Sequence, residues 1–468
     1  MIRNSSLWPL VLLWATWAQA APVEPPERMS WLDNGTIRIG VDLDRGGAIT
    51  YLADARQGTN LINSFDLGRQ IQMSFYSGPV PFTPHGKQPP DHWRHIGWNP
   101  IQTGDCFGHP SRVIEQSNDG RELHVKCVPM QWSLDDEPGE CTFDCWITLD
   151  GAIARVRSRL DNRRADKTQY AARYQELPAV YTNGPLYRLL TYSGDRPFTD
   201  DELTRIVKRP GEPGPWSRWM ATENWSALVG DDDRGVGVWQ RDCFEFHGGF
   251  AGQPGKGGPH DDPTGYVTPV QLEIIDHDIR YDYRYELIVG SLAEIRRHVY
   301  AQGRQPLPPD WRFDRERLHW HLTNATDAGW RLAGHWAIQL EKPDPYLVSP
   351  SWFWQAAERP RLVIEAACRP GLAGPAQVFW RTVAEPDSSE SRALSFRLPA
   401  DGEFHTTVVD LSTAPTYRGG LTGLRIDPTP EGQPGDWIQI RRIALVGPAE
   451  AAKLENSPAS DQKSKLDD

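Results

Sequence analysis

Apolar and polar residues alternate in short runs along most of this chain, with a period of two. Ile37, Ile39 and Val41 alternate with Arg38 and Gly40, the chain turns at Asp44, Arg45, Gly46 and Gly47, and residues 48–52 return. In residues 70–76, Ile71, Met73 and Phe75 alternate with Gln70, Gln72, Ser74 and Tyr76. The pattern recurs over 122–130, 140–149, 152–160 and 270–289, the last folded back near Asp276, His277 and Asp278. A period of two between turn residues predicts strands with one buried face. Arg155, Arg157 and Arg159 then share a face turned to water or acidic neighbours, and Tyr281, Tyr283 and Tyr285 form a ladder suited to packing. Helical periodicity is scarce. The clearest helix begins at Ser291, whose spacing to Glu294 is that of a capping box, and runs to about Ala301.

These elements predict an all-β chain of sandwich type. Forty prolines and 41 glycines supply the turns, and 468 residues are enough for two or three domains. Residues 1–20 read as a signal peptide: Arg3, an apolar core over 7–17, and Ala18-Gln19-Ala20 as the cleavage site. The expectation is a secreted or periplasmic protein, soluble and free of the membrane after cleavage. Residues 24–303 form the first domain, 304–310 a linker marked by Pro306, Pro308 and Pro309, and 311–448 the second. Residues 449–468 read as a polar, disordered tail.

A net charge of −12 argues against a nucleic-acid groove or an anionic membrane surface as partner. Six scattered cysteines do not make a disulfide scaffold. Cys141 and Cys145 lie about 13 Å apart along one strand and cannot bond to each other. Cys127, on the preceding strand, reaches one of them if the register allows. No spacing supports a zinc site. The glycine-rich stretch around His260, Asp261 and Asp262 lacks the context of a phosphate cradle and the spacing of a calcium loop, and reads as a cleft rim. No cofactor or metal is expected, and the oligomeric state is open.

The opening strand, its Gly-Gly turn, the phrase AITYLAD and the GTNLIN turn after it resemble the start of galactose-mutarotase-like β-supersandwich domains. That resemblance implies a fold found in aldose epimerases and in parts of many glycoside hydrolases and polysaccharide lyases. GRQIQMSFYSGP, QELPAVYTNGP, ATENWSAL and DDPTGYVTP are similar to phrases of a family of exported bacterial proteins over residues 30–300, a likeness that supplies no reaction. From Trp311 to Val446, the phrases PDPYLVSP, AQVFW, DGEFH and GLRIDP resemble galactose-binding-like jelly rolls found beside secreted polysaccharide-degrading enzymes. Such modules bind glycan, as carbohydrate-binding modules do, or brace the catalytic domain. Trp320, Trp330, Trp352 and Trp354 would be this module's platform if exposed.

Residues 77–100 are too broken by proline for regular structure, and loops of that length usually have a function. Aromatic rings beside imidazoles, amides and guanidinium groups are the ingredients of a sugar cleft. The substrate-binding candidates are Arg69, Gln72, Tyr76, Trp93, His95, Trp98, Asn99, Asn224 and His277. Glu176, among tyrosines, and Glu223, between Thr222 and Asn224 with tryptophans nearby, are candidate acid and base, with Asp105 in reserve. Each carboxylate has a plain alternative as a backbone cap or an arginine partner, and each tryptophan has one as core. The leading expectation is a glycoside hydrolase acting on an extracellular or periplasmic glycan. The alternatives are a polysaccharide lyase, with His95 or a tyrosine as base and Arg69 or Asn99 facing a uronate, and a glycan-binding protein without catalysis.

Overall fold

The computed structural model describes residues 28–208, 211, 214–304 and 310–455, so the predicted leader and most of the linker lie outside the described residues. The chain is all-β. Two large sheets face each other across one core. In spatial order the first runs Met29–Asp33, Ile37–Asp42, Ala48–Asp54, Ile71–Ser74, Arg173–Asn183, Thr264–Glu273, Glu245–Ala251 and Ser217–Met220, with two short strands branching from Ile71–Ser74 to make ten. The second has nine strands, with Arg280–Ser291 and Ile153–Asn162 near its middle and Arg112–Asn118 at one edge. The apolar halves of the alternating runs meet between them: Ile71, Met73, Phe75, Leu177, Val180 and Val267 from one sheet, Val125, Phe143, Val156, Leu160 and Leu287 from the other.

The tyrosine ladder belongs to this core, all three rings being buried. The arginine face meets carboxylates and a ring: Arg155 pairs with Glu286, Arg159 with Asp282, and the Arg157 guanidinium lies 3.8 Å from the Trp146 ring centre. Cys127 stands opposite Phe143, so Cys141 and Cys145 are its diagonal neighbours. Diagonal positions are about 7–8 Å apart, beyond disulfide reach, and all six thiols are free.

The predicted helix spans Leu292–Gln302 and carries the capping box at Ser291 and Glu294. Its Ile295 and Val299, four apart and so on one face, are fully buried against Trp225 and Trp239 on the outer side of the nine-stranded sheet. Burying each is worth about 1.5–3 kcal/mol. Gly237 makes the approach possible, since a Cβ there would fall 2.5 Å from Ile295 Cγ2.

Beyond residue 310 two six-stranded sheets form a second sandwich around Trp336, Ile338, Leu362, Val378, Trp380, Leu424 and Ile440. Trp320, Trp352 and Trp354 are buried in it, and only Trp330 of that predicted platform is partly exposed. Phe244 and Ile274 of the first sandwich join this core. A buried ion cluster also ties the two sandwiches. Arg317 donates to Asp327 at 2.6 Å and to Asp276 of the first sandwich at 2.5 Å. Residues 449–455, expected as the start of a disordered tail, belong to the helix Pro448–Glu455, in which Ala451 packs on Val363, Ala444 and Val446, and residues 456–468 of that tail lie outside the described residues. No helix among the described residues is long and apolar enough to cross a membrane.

Candidate functional site

The strand Arg173–Asn183 lies in the middle of the ten-stranded sheet, and its register shifts between Glu176 and Val180 on both sides. Pro178, which has no N–H for the ladder, sits inside that irregularity. The local bend lets Leu177 and Val180 face the core while Glu176 and Tyr181 face outward. Glu176 stands opposite Ser74 on one neighbour and Val270 on the other, and Tyr181 stands opposite Tyr266.

Tyr266 donates its hydroxyl hydrogen bond to Glu176. The Tyr181 ring stacks on Tyr266 at 4.5 Å and 26°, with Trp216 at 5.0 Å from the same ring and His247 at 6.1 Å, edge on. Tyr266 is buried beneath them, while Glu176, Tyr76, Tyr181, Trp216 and His247 keep partial access to solvent. Burial pushes the Glu176 carboxyl above its ordinary value, and hydrogen bonds from Tyr266, Ser74 and Tyr76 recover only part of the shift. Burial and the nearby Glu176 also push Tyr181 and Tyr266 well above the usual phenol range. The result is a carboxyl group biased toward its protonated form, set in a patch of rings. Such a group can donate a proton to a ligand lying on this face.

A second carboxylate on the face was not singled out by the sequence. Phe246 pairs with Pro269 and Glu176 with Val270, so Glu245 sits beside Val270, two strands from Glu176. That places the two Cα atoms about 10 Å apart. Glu245 accepts from Tyr174 Oη at 3.0 Å, from Ser351 Oγ of the second sandwich at 3.1 Å, and pairs with Arg218 Nε at 3.2 Å.

The three predicted carboxylates do not converge. Glu223 is fully buried beneath the helix on the opposite side of the sandwich. It accepts from Arg296 Nε and Nη2 at 3.2 and 3.0 Å, Tyr300 Oη at 2.8 Å, Trp225 Nε1 at 3.1 Å and Phe198 N at 2.9 Å. Packed sheets are about 10 Å apart, so Glu176 and Glu223, on opposite outer sides, lie farther apart than that. Asp105 is buried in its own loop, where Oδ1 accepts from Phe107 N and His109 N and Oδ2 from Asp136 N and His109 Nδ1. His109 and Asp135 gather near it in a cluster with metal-ligand geometry, but both Asp105 oxygens already have donors.

Among the predicted binding residues, Tyr76 borders Glu176, and Arg69 lies near Tyr181, held by Asp66 at 3.3 Å and Asp262 at 2.9 Å. The glycine-rich loop is thereby pinned at the rim of this face. Trp93 and His95 sit on the other rim, which Arg173 ties down by donating to the carbonyls of Ile96 at 2.8 Å and His95 at 3.1 Å. Trp98 is a fully buried core ring. Gln72 and Asn99 are buried too, and their amides satisfy backbone at Thr103, Leu67 and Phe75. Asn224 takes a left-handed turn, φ 63°, and donates to Cys243 O at 3.0 Å. His277 occupies the turn before Arg280–Ser291, 3.8 Å from Asp278.

No family model matches the chain, and no curated protein does. Solved structures with some likeness include a galactose mutarotase related enzyme from Lactobacillus acidophilus, at 12% identity over 56% of this chain and 98% of that one, with a TM-score of 0.37. A galactose mutarotase-like protein from Lactobacillus casei is 11% identical over 56% and 100%, TM-score 0.34. The 4-alpha-glucanotransferase from Thermococcus litoralis is 12% identical over 56% of this chain and 37% of its own, TM-score 0.30. The sheets themselves, and not these likenesses, define the fold described above.

Proposed function

We propose that the protein is a carbohydrate-active enzyme, specifically an exported glycoside hydrolase, whose glycan lies on the outer face of the ten-stranded sheet. The observation that carries this reading is Glu176: a partly exposed carboxyl biased toward its acid form, bonded to Tyr266 and set among Tyr76, Tyr181 and Trp216. Rings of that kind cover the apolar faces of sugars. Glu176 protonates the glycosidic oxygen as the bond to the anomeric carbon breaks. Glu245 takes a proton from the water whose oxygen adds to that carbon on the other side. A pair acting in this way needs about 6.5–9.5 Å between its two carboxyl groups to hold that water, and the outcome is inversion at the anomeric carbon.

A lyase reading would need a tyrosine or histidine base. Burial and Glu176 hold Tyr181 and Tyr266 in their neutral forms, which favours the carboxyl as the proton-transfer group. The test is incubation of the protein with plant, algal and bacterial polysaccharides, followed by reducing-sugar assay and retention on the immobilised glycan. Glu176→Gln is expected to abolish sugar release while retention persists. Undiminished release by that variant, or an unsaturated product absorbing in the ultraviolet, would overturn the assignment.

A further inference from the structure

We propose that the small cavity where the two sandwiches meet, lined in part by Arg381, is a subsite for a carboxylate, and hence that the glycan is an acidic one. This inference rests on the reading above. The cavity, of about 40 Å³, is lined by Tyr174, Glu245, Val270, His321, Ser351 and Arg381, among others. Val270 is the residue paired with Glu176, so the cavity shares a lining residue with the strand pair that carries the proposed proton donor.

Arg296 and Arg317 each hold a carboxylate at 3.0 Å or less. Arg381 is half-buried and, like the buried Arg164, has no carboxylate partner among the described residues; Arg164 instead gives its guanidinium to the carbonyls of Gly78 and Ile275. Among the described residues the one side-chain hydrogen bond of Arg381, from Nη2 to Ser349 O, is long at 3.4 Å, and its buried Nε has no partner. A buried donor without a partner calls for a ligand or water. The fold also reserves space for this guanidinium: a Cβ at Gly423 would fall 2.1 Å from Arg381 Nη2. Burial pulls the Arg381 guanidinium below its ordinary value, and the nearby Glu245 offsets only part of that.

Neighbouring charges leave a place for one anion. Arg218, Tyr174 and Ser351 fill three of the roughly four acceptor positions of Glu245, leaving one for the attacking water but only a shared charge for Arg381. Burial, with Arg381 adding to it, holds His321 neutral by pushing its imidazole down to about 4. His319, on the far side, is paired with Glu273. Arg218 and Arg381 therefore share Glu245 as their near carboxylate, with Asp387 adding a weaker attraction to Arg381. At a water's liquid share of about 30 Å³ the cavity holds about one water, which an entering carboxylate group would displace. A planar guanidinium is suited to that group, taking it through two parallel hydrogen bonds.

Polygalacturonate, alginate and hyaluronan, each beside its methyl-esterified form, are the probes, with a sulfated galactan as a further arm. The wild-type protein is expected to retain one free-acid polymer at least about tenfold more tightly than its ester, the usual worth of a hydrogen bond to a charged group. Arg381→Met should bring acid and ester to the same level, and Arg381→Lys should restore part of the difference. If Arg381→Met does not fold, the acid-to-ester ratio of the wild type decides alone. Equal retention of acid and ester, or preference for the sulfated polymer, overturns the carboxylate subsite and leaves the glycan reading standing. Retention of no glycan from any panel overturns both.

Discussion

Glu223→Gln separates a structural carboxylate from a functional one. The wild-type side chain accepts five hydrogen bonds, two of them from the Arg296 guanidinium, and is fully buried. An amide keeps one acceptor oxygen but presents an NH₂ to donors and removes the charge that balances Arg296. Breaking a buried pair from one side costs about 3–5 kcal/mol. The glutamine keeps the shape, so the low end, about 3 kcal/mol, is expected. At about 2–4 °C per kcal/mol for a domain of this kind, that is about 6–12 °C in Tm. Urea unfolding with the matching Glu176→Gln variant is the assay. Glu176 is partly exposed and its three donors are hydroxyls, so that exchange should stay within about 1 kcal/mol. Glu223→Gln should retain sugar release once folded, whereas Glu176→Gln should lose it. A Glu223→Gln protein of unchanged stability that has lost turnover would refute the reasoning and return Glu223 to the chemistry.

Other expectations follow from the same contacts. His321 takes up its proton only near pH 4 when folded, but near 6.5 when unfolded, so stability is whole at pH 7 and falls as pH drops through that window. The loss totals about 3 kcal/mol, and a His321→Gln series in urea should flatten it. Arg317→Met should cost about 3 kcal/mol by stranding Asp276 and Asp327, read as a lower unfolding midpoint. The Arg317 hydrogen bonds outweigh burial and hold Asp327 below its ordinary value. Its contribution is therefore present above about pH 4, and in the wild type it is lost as pH falls through the depressed value. Trp216→Ala should weaken glycan retention about two- to tenfold with little change in Tm, since its ring is worth about 0.5–1.5 kcal/mol. Trp98→Ala should instead cost about 3–5 kcal/mol of stability as a core cavity.

Much of the fold was legible because period-two alternation reports directly on a half-buried strand. Ile71, Met73 and Phe75 point inward as their spacing requires. The helix was legible too, its capping box being local. The site was less so. Glu176 could be singled out by its tyrosine neighbours, but Glu223 could not be dismissed, because its partner Arg296 is 73 residues away. Trp98 and Trp216 look alike as letters, and only tertiary packing buries one while leaving the other at the surface. Glu245 alternates with Phe244 and Phe246 as any strand residue would. Nothing local marks its place beside Val270. Asp105 was readable in principle, since its donors Phe107 and His109 are within four residues.

Hydrogen–deuterium exchange of the protein with and without the glycan it retains tests the location of the site most directly. The expected footprint is slowed exchange along Arg173–Asn183 and Thr264–Glu273, extending to the segment around Trp216. Protection confined to the second sandwich, or centred on the helix over Glu223, would place the ligand elsewhere and contradict the account.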